Sequence, residues 1–188
     1  MSAQPSFLSV RQGVAAVCDG GVIACPTEDV WGLSCDPFNE GAVARLLGLK
    51  ARPAGKGLIL VAATMAQFDW LVHDLPASQC ARLELSCPGP TTWLVPHKGR
   101  VPPWVHGDHD TVAVRVSAHP VVNALCQAWG GALVSSSANP AGGQPAVHAF
   151  QVRRYFGDRL DFIVPGALGG AARPSVIRHL ASDEIVRS

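Results

Sequence analysis

Charged side chains are scarce in this sequence of 188 residues. Lys, Arg, Asp and Glu make up only 15% of it, whereas hydrophobic residues make up 48%. This composition excludes an intrinsically disordered chain, because disorder goes with low hydrophobicity and high net charge. Fifteen basic and fourteen acidic residues leave a formal net charge of +1. That balance excludes a globally basic nucleic-acid binder, although it leaves room for a local basic patch.

Long apolar runs and paired cysteines are also missing. The longest strongly apolar run, residues 58–63, is far too short to span a bilayer. The N-terminus lacks the charged-then-apolar layout of a signal peptide. None of the six cysteines forms a Cys-x-x-Cys pair, so we expect no zinc site. Together these absences predict a cytoplasmic protein with reduced thiols, no membrane association and no bound metal.

Three familiar catalytic motifs are absent as well. There is no Walker A loop, because Gly55 and Lys56 are followed by Gly57 rather than by Ser or Thr. Gly-x-Gly-x-x-Gly after a strand and the hydrolase motif Gly-x-Ser-x-Gly are both missing. The segment 106–110, His-Gly-Asp-His-Asp, has side chains that bind metals, but the pattern favours a polar surface loop. The sequence therefore offers no obvious nucleophile with a neighbouring base.

Apolar strands and amphipathic helices alternate along the whole chain. No repeat, low-complexity tract or linker interrupts the alternation. The pattern predicts a single α/β domain over residues 1–188, with a mixed parallel and antiparallel sheet and flanking helices. Its clearest elements are helices at 7–18, about 40–49 and 120–129, and strands at 22–25, 58–61, 111–116 and 132–134. Asn39 can cap the second of these helices, and Thr64 with Gln67 forms a possible capping box for a helix to about residue 72. Residues 26–33 are predicted to form a polar and aromatic loop.

The segment 50–61, Lys-Ala-Arg-Pro-Ala-Gly-Lys-Gly-Leu-Ile-Leu-Val, concentrates positive charge at a predicted helix-to-strand joint. Lys50, Arg52 and Lys56 fall within seven residues. Pro53 prevents the preceding helix, which leads to Lys50, from continuing through the segment. Taken alone, the pattern favours a solvated surface turn. The alternative is a site that binds phosphates or carboxylates. In either case we expect Lys50 and Arg52 to lie outside the hydrophobic core.

Polar side chains also follow or end several predicted strands. They are Thr27, Glu28, Arg115, Ser135, Ser137 and Asn139. If these strand ends converge, the site would position an anionic ligand and neutralise its charge, and a nucleoside triphosphate is the natural candidate. The structural alternatives are a salt bridge on an exposed strand face for Arg115 and a plain turn capped by Asn139.

Several short motifs follow one another along the chain: Pro26-Thr27-Glu28, Trp31-Gly32-Leu33, Lys50-x-Arg52, Lys56-Gly57-Leu58, Pro88-Gly89-Pro90-Thr91, Val114-Arg115-Val116, His119-Pro120, Ser136-Ser137-Ala138-Asn139 and Pro174-Ser175-Val176-Ile177. Each motif alone is weak. Their ordered set, spread over nearly the whole chain, resembles the YrdC/TsaC family of threonylcarbamoyl-AMP synthases in its short, single-domain form.

The resemblance implies a fold, a reaction and partners. The sheet would be twisted around a concave, positively charged cavity. L-Threonine, bicarbonate and ATP would give L-threonylcarbamoyl-adenylate and pyrophosphate, with Mg²⁺ carried in by ATP and held mainly by phosphates and water. Transferase machinery of the TsaB/TsaD/TsaE type would then use the adenylate to make N6-threonylcarbamoyladenosine in ANN-decoding tRNAs, and tRNA itself is a candidate partner.

The resemblance also assigns roles to individual residues. Lys50 and Arg52 would be catalytic, through their hold on the ATP phosphates. The ATP-binding set would be Lys50, Arg52, Lys56, Thr111, Ser137 and Asn139. The threonine-binding set would be Thr27, Asp29, Arg115, Ser135 and Ser175, with the guanidinium of Arg115 on the substrate carboxylate.

A second class of function uses the same basic cavity without chemistry. In this alternative the protein is a non-catalytic module that binds double-stranded RNA or tRNA through phosphate contacts. The near-neutral net charge and the aromatic content of only 6% favour the synthase, because dedicated RNA binders usually carry a basic face or stacking platforms.

Overall fold

The structure is a computed structural model that describes residues 5–170 and 175–187. Its α-helices are α1 Phe7–Cys18, α2 Glu40–Lys50, α3 Asp69–Val72, α4 Ala77–Ser86, α5 Pro103–His106, α6 Pro120–Trp129 and α7 Ala149–Phe156. Its strands are β1 Ile23–Pro26, β2 Trp31–Ser34, β3 Ile59–Ala62, β4 Thr91–Pro96, β5 Thr111–Val116, β6 Leu133–Ser137, β7 Phe162–Ile163, β8 Val176–His179 and β9 Ile185–Arg187. None of the helices described is long and apolar enough to cross a membrane.

One sheet joins all nine strands in the order β7-β1-β2-β6-β3-β5-β4-β8-β9. Three neighbouring pairs are parallel, namely β1 with β7, β3 with β5 and β4 with β8. The remaining pairs are antiparallel. The prediction of an α/β fold with a mixed sheet and flanking helices is confirmed.

Local sequence signals mark both ends of α2 and the start of α6. The side chain of Asn39 caps α2 by accepting a hydrogen bond of 3.0 Å from the amide of Ala42. That helix ends at Ala51, whose φ of 48° is left-handed. His119 caps α6 through a 3.3 Å bond from the amide of Val121 to its Nδ1.

The two faces of the sheet are covered differently. Val112, Val114 and Val116 of β5 are buried in the larger core cluster, against helices that include α2 and α7. On the opposite face, α1 and α6 pack over a second cluster. Thr111 and Arg115, which alternate with the valines, remain partly exposed. A strip of that second face is therefore left open, and it forms the floor of the cavities described below.

Two local predictions are wrong. Residues 31–33, which the sequence suggested as part of a loop, belong to β2, paired antiparallel with β1. The reversal is tight because the amide and hydroxyl of Thr27 both bond to the carbonyl of Val30, at 3.1 and 2.7 Å. The side chain of Gln67 does not build a capping box with Thr64 either. Its Oε1 accepts from the amide of Ala63 at 2.7 Å, and a 3₁₀ turn precedes the short α3.

Candidate functional site

Three adjoining cavities lie along the open strip of the sheet. The main cavity has a volume of about 430 Å³. It shares Thr27, Arg115 and Ser135 with a deep cavity of about 40 Å³. It shares Arg52 and Arg187 with an outer cavity of about 270 Å³. One continuous groove therefore connects an Arg115 end with an Arg52 and Arg187 end.

Arg115 lies at the deep end of this groove, on β5. Its Nη2 is 3.2 Å from Oε1 of Glu28, and the two side chains are only 14% and 16% exposed. Its Nε donates to the carbonyl of Gly89 at 3.3 Å. Arg115 thus forms an ion pair, as the structural alternative proposed, but the pair lies inside a cavity rather than on an exposed strand face.

The other predicted threonine-binding residues surround Arg115 in the main cavity. Thr27, Asp29, Ser135 and Ser175 all line it. Oδ1 of Asp29 is buried and has no hydrogen-bond partner among the residues described. Burial raises the pKa of this carboxyl, while the charge of Arg115 opposes the rise. Ser175 accepts a 2.9 Å bond from the Thr92 hydroxyl. Pro174, which precedes it in the motif, lies outside the described residues.

Three cations gather at the opposite end. Arg52 and Arg187 line both the main and the outer cavity, and the exposed Lys56 lines the outer one together with Thr111. Nη2 of Arg52 donates to the carbonyl of Gly57 at 2.9 Å. Burial, and then the nearby charge of Arg187, lower the pKa of Arg52. The like charges of this cluster repel one another, and an anion bound among them would relieve that repulsion.

Lys50 occupies a different position from the one expected. It is only 4% exposed, so it is not part of a solvated surface turn, although it belongs to neither hydrophobic cluster. Its ammonium donates to the backbone carbonyls of Ser137 and Asn139, the latter at 2.9 Å. Burial, followed by the charge of Arg52, lowers its pKa to about 8. Lys50 therefore ties the end of α2 to the segment that follows β6.

Asn139 stabilises the turn that it begins. Its Nδ2 donates to the carbonyls of Pro140 and Gly143 at 3.0 and 2.9 Å, which matches the structural alternative from the sequence. Its Oδ1 is buried without a described partner. Ser137 lines the main cavity, whereas Lys50 and Asn139 do not contribute to the three cavities formed by the described residues.

Other residues lie at the groove for which the sequence predicted no specific role. Arg187 comes from β9, which forms a hairpin with β8, and the long-range parallel pairing of β8 with β4 brings both strands to the groove, so no local signal marks it. Glu28 was expected among the polar residues at the strand ends, but no specific role was predicted for it. His106 and His109 border the outer cavity, and the ring of His106 stacks on that of His97 with centroids 3.9 Å apart.

A short segment packs against the residues of the deep end. The amide of Gly169 donates to the carbonyl of Thr27 at 3.0 Å. Nε2 of the buried His119 is 3.0 Å from the carbonyl of Ala167, to which it donates while Nδ1 caps α6. A Cβ added at Gly169 would meet Cα of Glu28 at 3.0 Å, so the segment fits closely only with glycine there.

Comparison with known proteins identifies the family. The family model described as "Telomere recombination", which covers Sua5, YciO and YrdC proteins, matches residues 15–188. A threonylcarbamoyl-AMP synthase of Stutzerimonas stutzeri is 56% identical over 178 residues, 95% of this chain and 96% of the relative. A protein of the same name from Pseudomonas aeruginosa is 57% identical over 171 residues, 91% of this chain and 92% of the relative.

Solved structures agree with the fold. Sua5 of P. abyssi, complexed with L-threonine, superimposes with a TM-score of 0.86 at 29% identity, over 94% of this chain. This chain spans about half, 52%, of that protein. E. coli YciO superimposes with a TM-score of 0.84 over the full chain and 92% of YciO, and at 21% identity it supports the fold alone. With the family model and close relatives covering nearly its whole length, the chain belongs to the Sua5/YciO/YrdC family.

Proposed function

We propose that this chain synthesises L-threonylcarbamoyl-adenylate from L-threonine, bicarbonate and ATP, with release of pyrophosphate. The observation that carries the proposal is the single groove that has an arginine suited to a carboxylate at one end and three cations at the other. Relatives more than 50% identical over nearly the whole chain carry the name of this enzyme.

The chemistry requires positioning more than a protein nucleophile. Bicarbonate gives CO₂ by loss of hydroxide, and the free amine of threonine adds to the CO₂ carbon. The proton that the amine loses combines with that hydroxide as water, which leaves a carbamate. A carbamate oxygen then attacks the α-phosphorus of ATP, and the bond to pyrophosphate breaks. Holding two anions in line and neutralising the phosphate charge is the main catalytic task, which suits a groove rich in cations.

Threonine would occupy the deep end of the groove. The guanidinium of Arg115 would bind its carboxylate, for which two parallel N–H donors are well shaped. The hydroxyls of Thr27, Ser135 and Ser175 would surround the rest of the molecule. Asp29 would accept a hydrogen bond from the amine, since its Oδ1 has no partner among the described residues.

ATP would lie toward the outer end. Arg52, Lys56 and Arg187 would bind the phosphates, with Ser137 beside the reacting centre and Thr111 near the rest of the nucleotide. Lys50 and Asn139 would contribute mainly by fixing the backbone that carries Ser137. Mg²⁺ would arrive on the ATP phosphates, because the described residues contain no cluster of three or more His, Cys, Asp or Glu that could bind a metal ion.

The wider setting follows from the same proposal. Residues 1–188 would form one domain, which is supported by the single sheet from β7 to β9. The protein would work in the cytoplasm and pass its adenylate to TsaB/TsaD/TsaE-type machinery, which modifies tRNA.

Pyrophosphate release provides the direct test. We expect release from ATP only when threonine and bicarbonate are both present, and baseline release when either is omitted. Release that is independent of threonine would point to a simple nucleotidase. No release under any combination would contradict the proposal. The RNA-binding alternative would then be tested by tRNA binding against salt, since phosphate-driven binding weakens steeply as salt rises.

A further inference from the structure

Glu28 lies at the deep end of the groove, where it has no role in the proposal above. Its Oε1 is 3.2 Å from Nη2 of Arg115 and accepts a 2.8 Å hydrogen bond from the hydroxyl of Ser117. Ser117 is itself fixed, because its Oγ accepts from the amide of His119 at 3.1 Å. The carboxylate of Glu28 is thus held in one orientation by groups on β5 and on the segment after it.

The contacts of Arg115 fall on one edge of its guanidinium. Nε and Nη2 lie on the same side of the planar group, and they face the carbonyl of Gly89 and the carboxylate of Glu28. Nη1 has no hydrogen-bond partner among the described residues. The edge formed by Nη1 and Nη2 therefore remains able to present two parallel N–H donors to a carboxylate in the cavity.

Close packing behind Glu28 restricts its backbone too. Gly169 lies directly against it, since an added Cβ would be 3.0 Å from Cα of Glu28. The backbone of the neighbouring Thr27 is also fixed, by bonds to Val30 within its own turn and to the amide of Gly169. A long side chain such as that of Arg115 loses conformational entropy when a ligand orders it. If a rigid acidic partner already orders the side chain in the free protein, this entropy cost no longer reduces the affinity for the ligand.

We propose that Glu28 is the positioning residue for the carboxylate of the amino-acid substrate, acting through Arg115. It holds one edge of the guanidinium so that the other edge faces the main cavity before the substrate arrives. This inference rests on the proposed function for the identity of the substrate. It goes beyond that function by assigning to Glu28 the orientation of Arg115 at the amino-acid end of the groove.

The test compares Glu28→Ala and Glu28→Gln with the wild-type protein in threonine-dependent pyrophosphate release. Removing a charge-assisted contact of about 1.5 kcal/mol should raise the KM for threonine about tenfold in Glu28→Ala, while the KM for ATP stays within twofold. Glu28→Gln retains an oxygen for Ser117 and should show a smaller rise. Asp74→Asn, which loses charge in an exposed ion pair with Lys98 and Arg100, serves as the matched control and should leave both KM values unchanged.

A double-mutant cycle separates positioning from a general loss of structure. If Glu28 acts through Arg115, Glu28→Ala should change the KM for threonine less than twofold in an Arg115→Ala background. The full tenfold effect in that background, or an unchanged KM in the single variants, would overturn the inference while leaving the synthase activity in place. A wild-type protein without threonine-dependent release would instead refute the proposed function, and this inference with it.

Discussion

Replacing Lys50 by Met distinguishes two possible roles of this residue. One is a ligand of the ATP phosphates, and the other is a buried hydrogen-bond donor that stabilises the fold. The resemblance makes Lys50 a direct ligand of ATP phosphates. In the structure its ammonium is buried and donates to the carbonyls of Ser137 and Asn139. Met has nearly the same length and no charge, so the substitution removes the hydrogen bonds with little change in packing volume.

The expected loss of stability can be worked out from these contacts. The carbonyl of Ser137 keeps a 2.9 Å bond from the amide of Asn139, whereas the carbonyl of Asn139 loses its described donor. Hydrogen bonds to charged groups contribute about 1.5–3 kcal/mol each. The variant no longer buries a cation, which offsets part of this loss, since burial lowers the pKa of Lys50 to about 8. We expect a net destabilisation of about 2 kcal/mol, or a Tm lower by about 4–8 °C.

Lys56→Met is the matched control, because Lys56 is exposed and lines the outer cavity. Thermal unfolding and pyrophosphate release would be measured for both variants. We expect Lys50→Met to lose stability together with activity, and Lys56→Met to keep the wild-type Tm within about 1 °C while its KM for ATP rises several-fold. A Lys50→Met protein with unchanged Tm and lost ATP binding would refute the structural role and make Lys50 a direct phosphate ligand.

Two further predictions concern the deep end of the groove. Arg115→Ala should raise the KM for threonine about 10- to 100-fold and that for ATP much less, measured by pyrophosphate release; the reverse pattern would place Arg115 on the nucleotide. His119 is buried and its pKa is lowered, chiefly by desolvation. Below about pH 6.5 the unfolded chain binds a proton that the native state resists, so the free energy of unfolding should fall as the pH drops. His119→Asn can still cap α6. In urea titrations, its free energy of unfolding should fall less between pH 7.5 and pH 5.5 than that of the wild-type protein. An equal fall would exclude His119 as a source of the pH dependence.

Much of the fold was predictable because its signals are local. Asn39 marked the start of α2, and the alternation in β5 placed Thr111 and Arg115 on the face opposite the valines. Strand order depends on long-range pairing, which no short pattern encodes. The position of Arg187 in the groove follows from the long-range pairing of β8 with β4, since β9 is paired to β8.

The burial of Lys50 could have been found in the sequence. Val43, Leu46 and Leu47 are buried on one face of α2, and Lys50 follows at the i+7, i+4 and i+3 positions of that same face. The positive charge of Lys50 favoured a solvent-exposed position, although the helical spacing places the residue on the buried face of α2. Glu28 was harder to assign, because its partners Arg115 and Ser117 come from a distant strand and the segment after it.

The most direct test of the proposed synthesis is the fate of the bicarbonate carbon. The wild-type protein would be incubated with ATP, threonine and ¹³C-bicarbonate, and the nucleotide products analysed by mass spectrometry. The groove geometry and the family predict an adenylate of threonine that carries one ¹³C carbon, formed together with pyrophosphate. An unlabelled threonyl-adenylate, or ADP or AMP alone, would contradict the account.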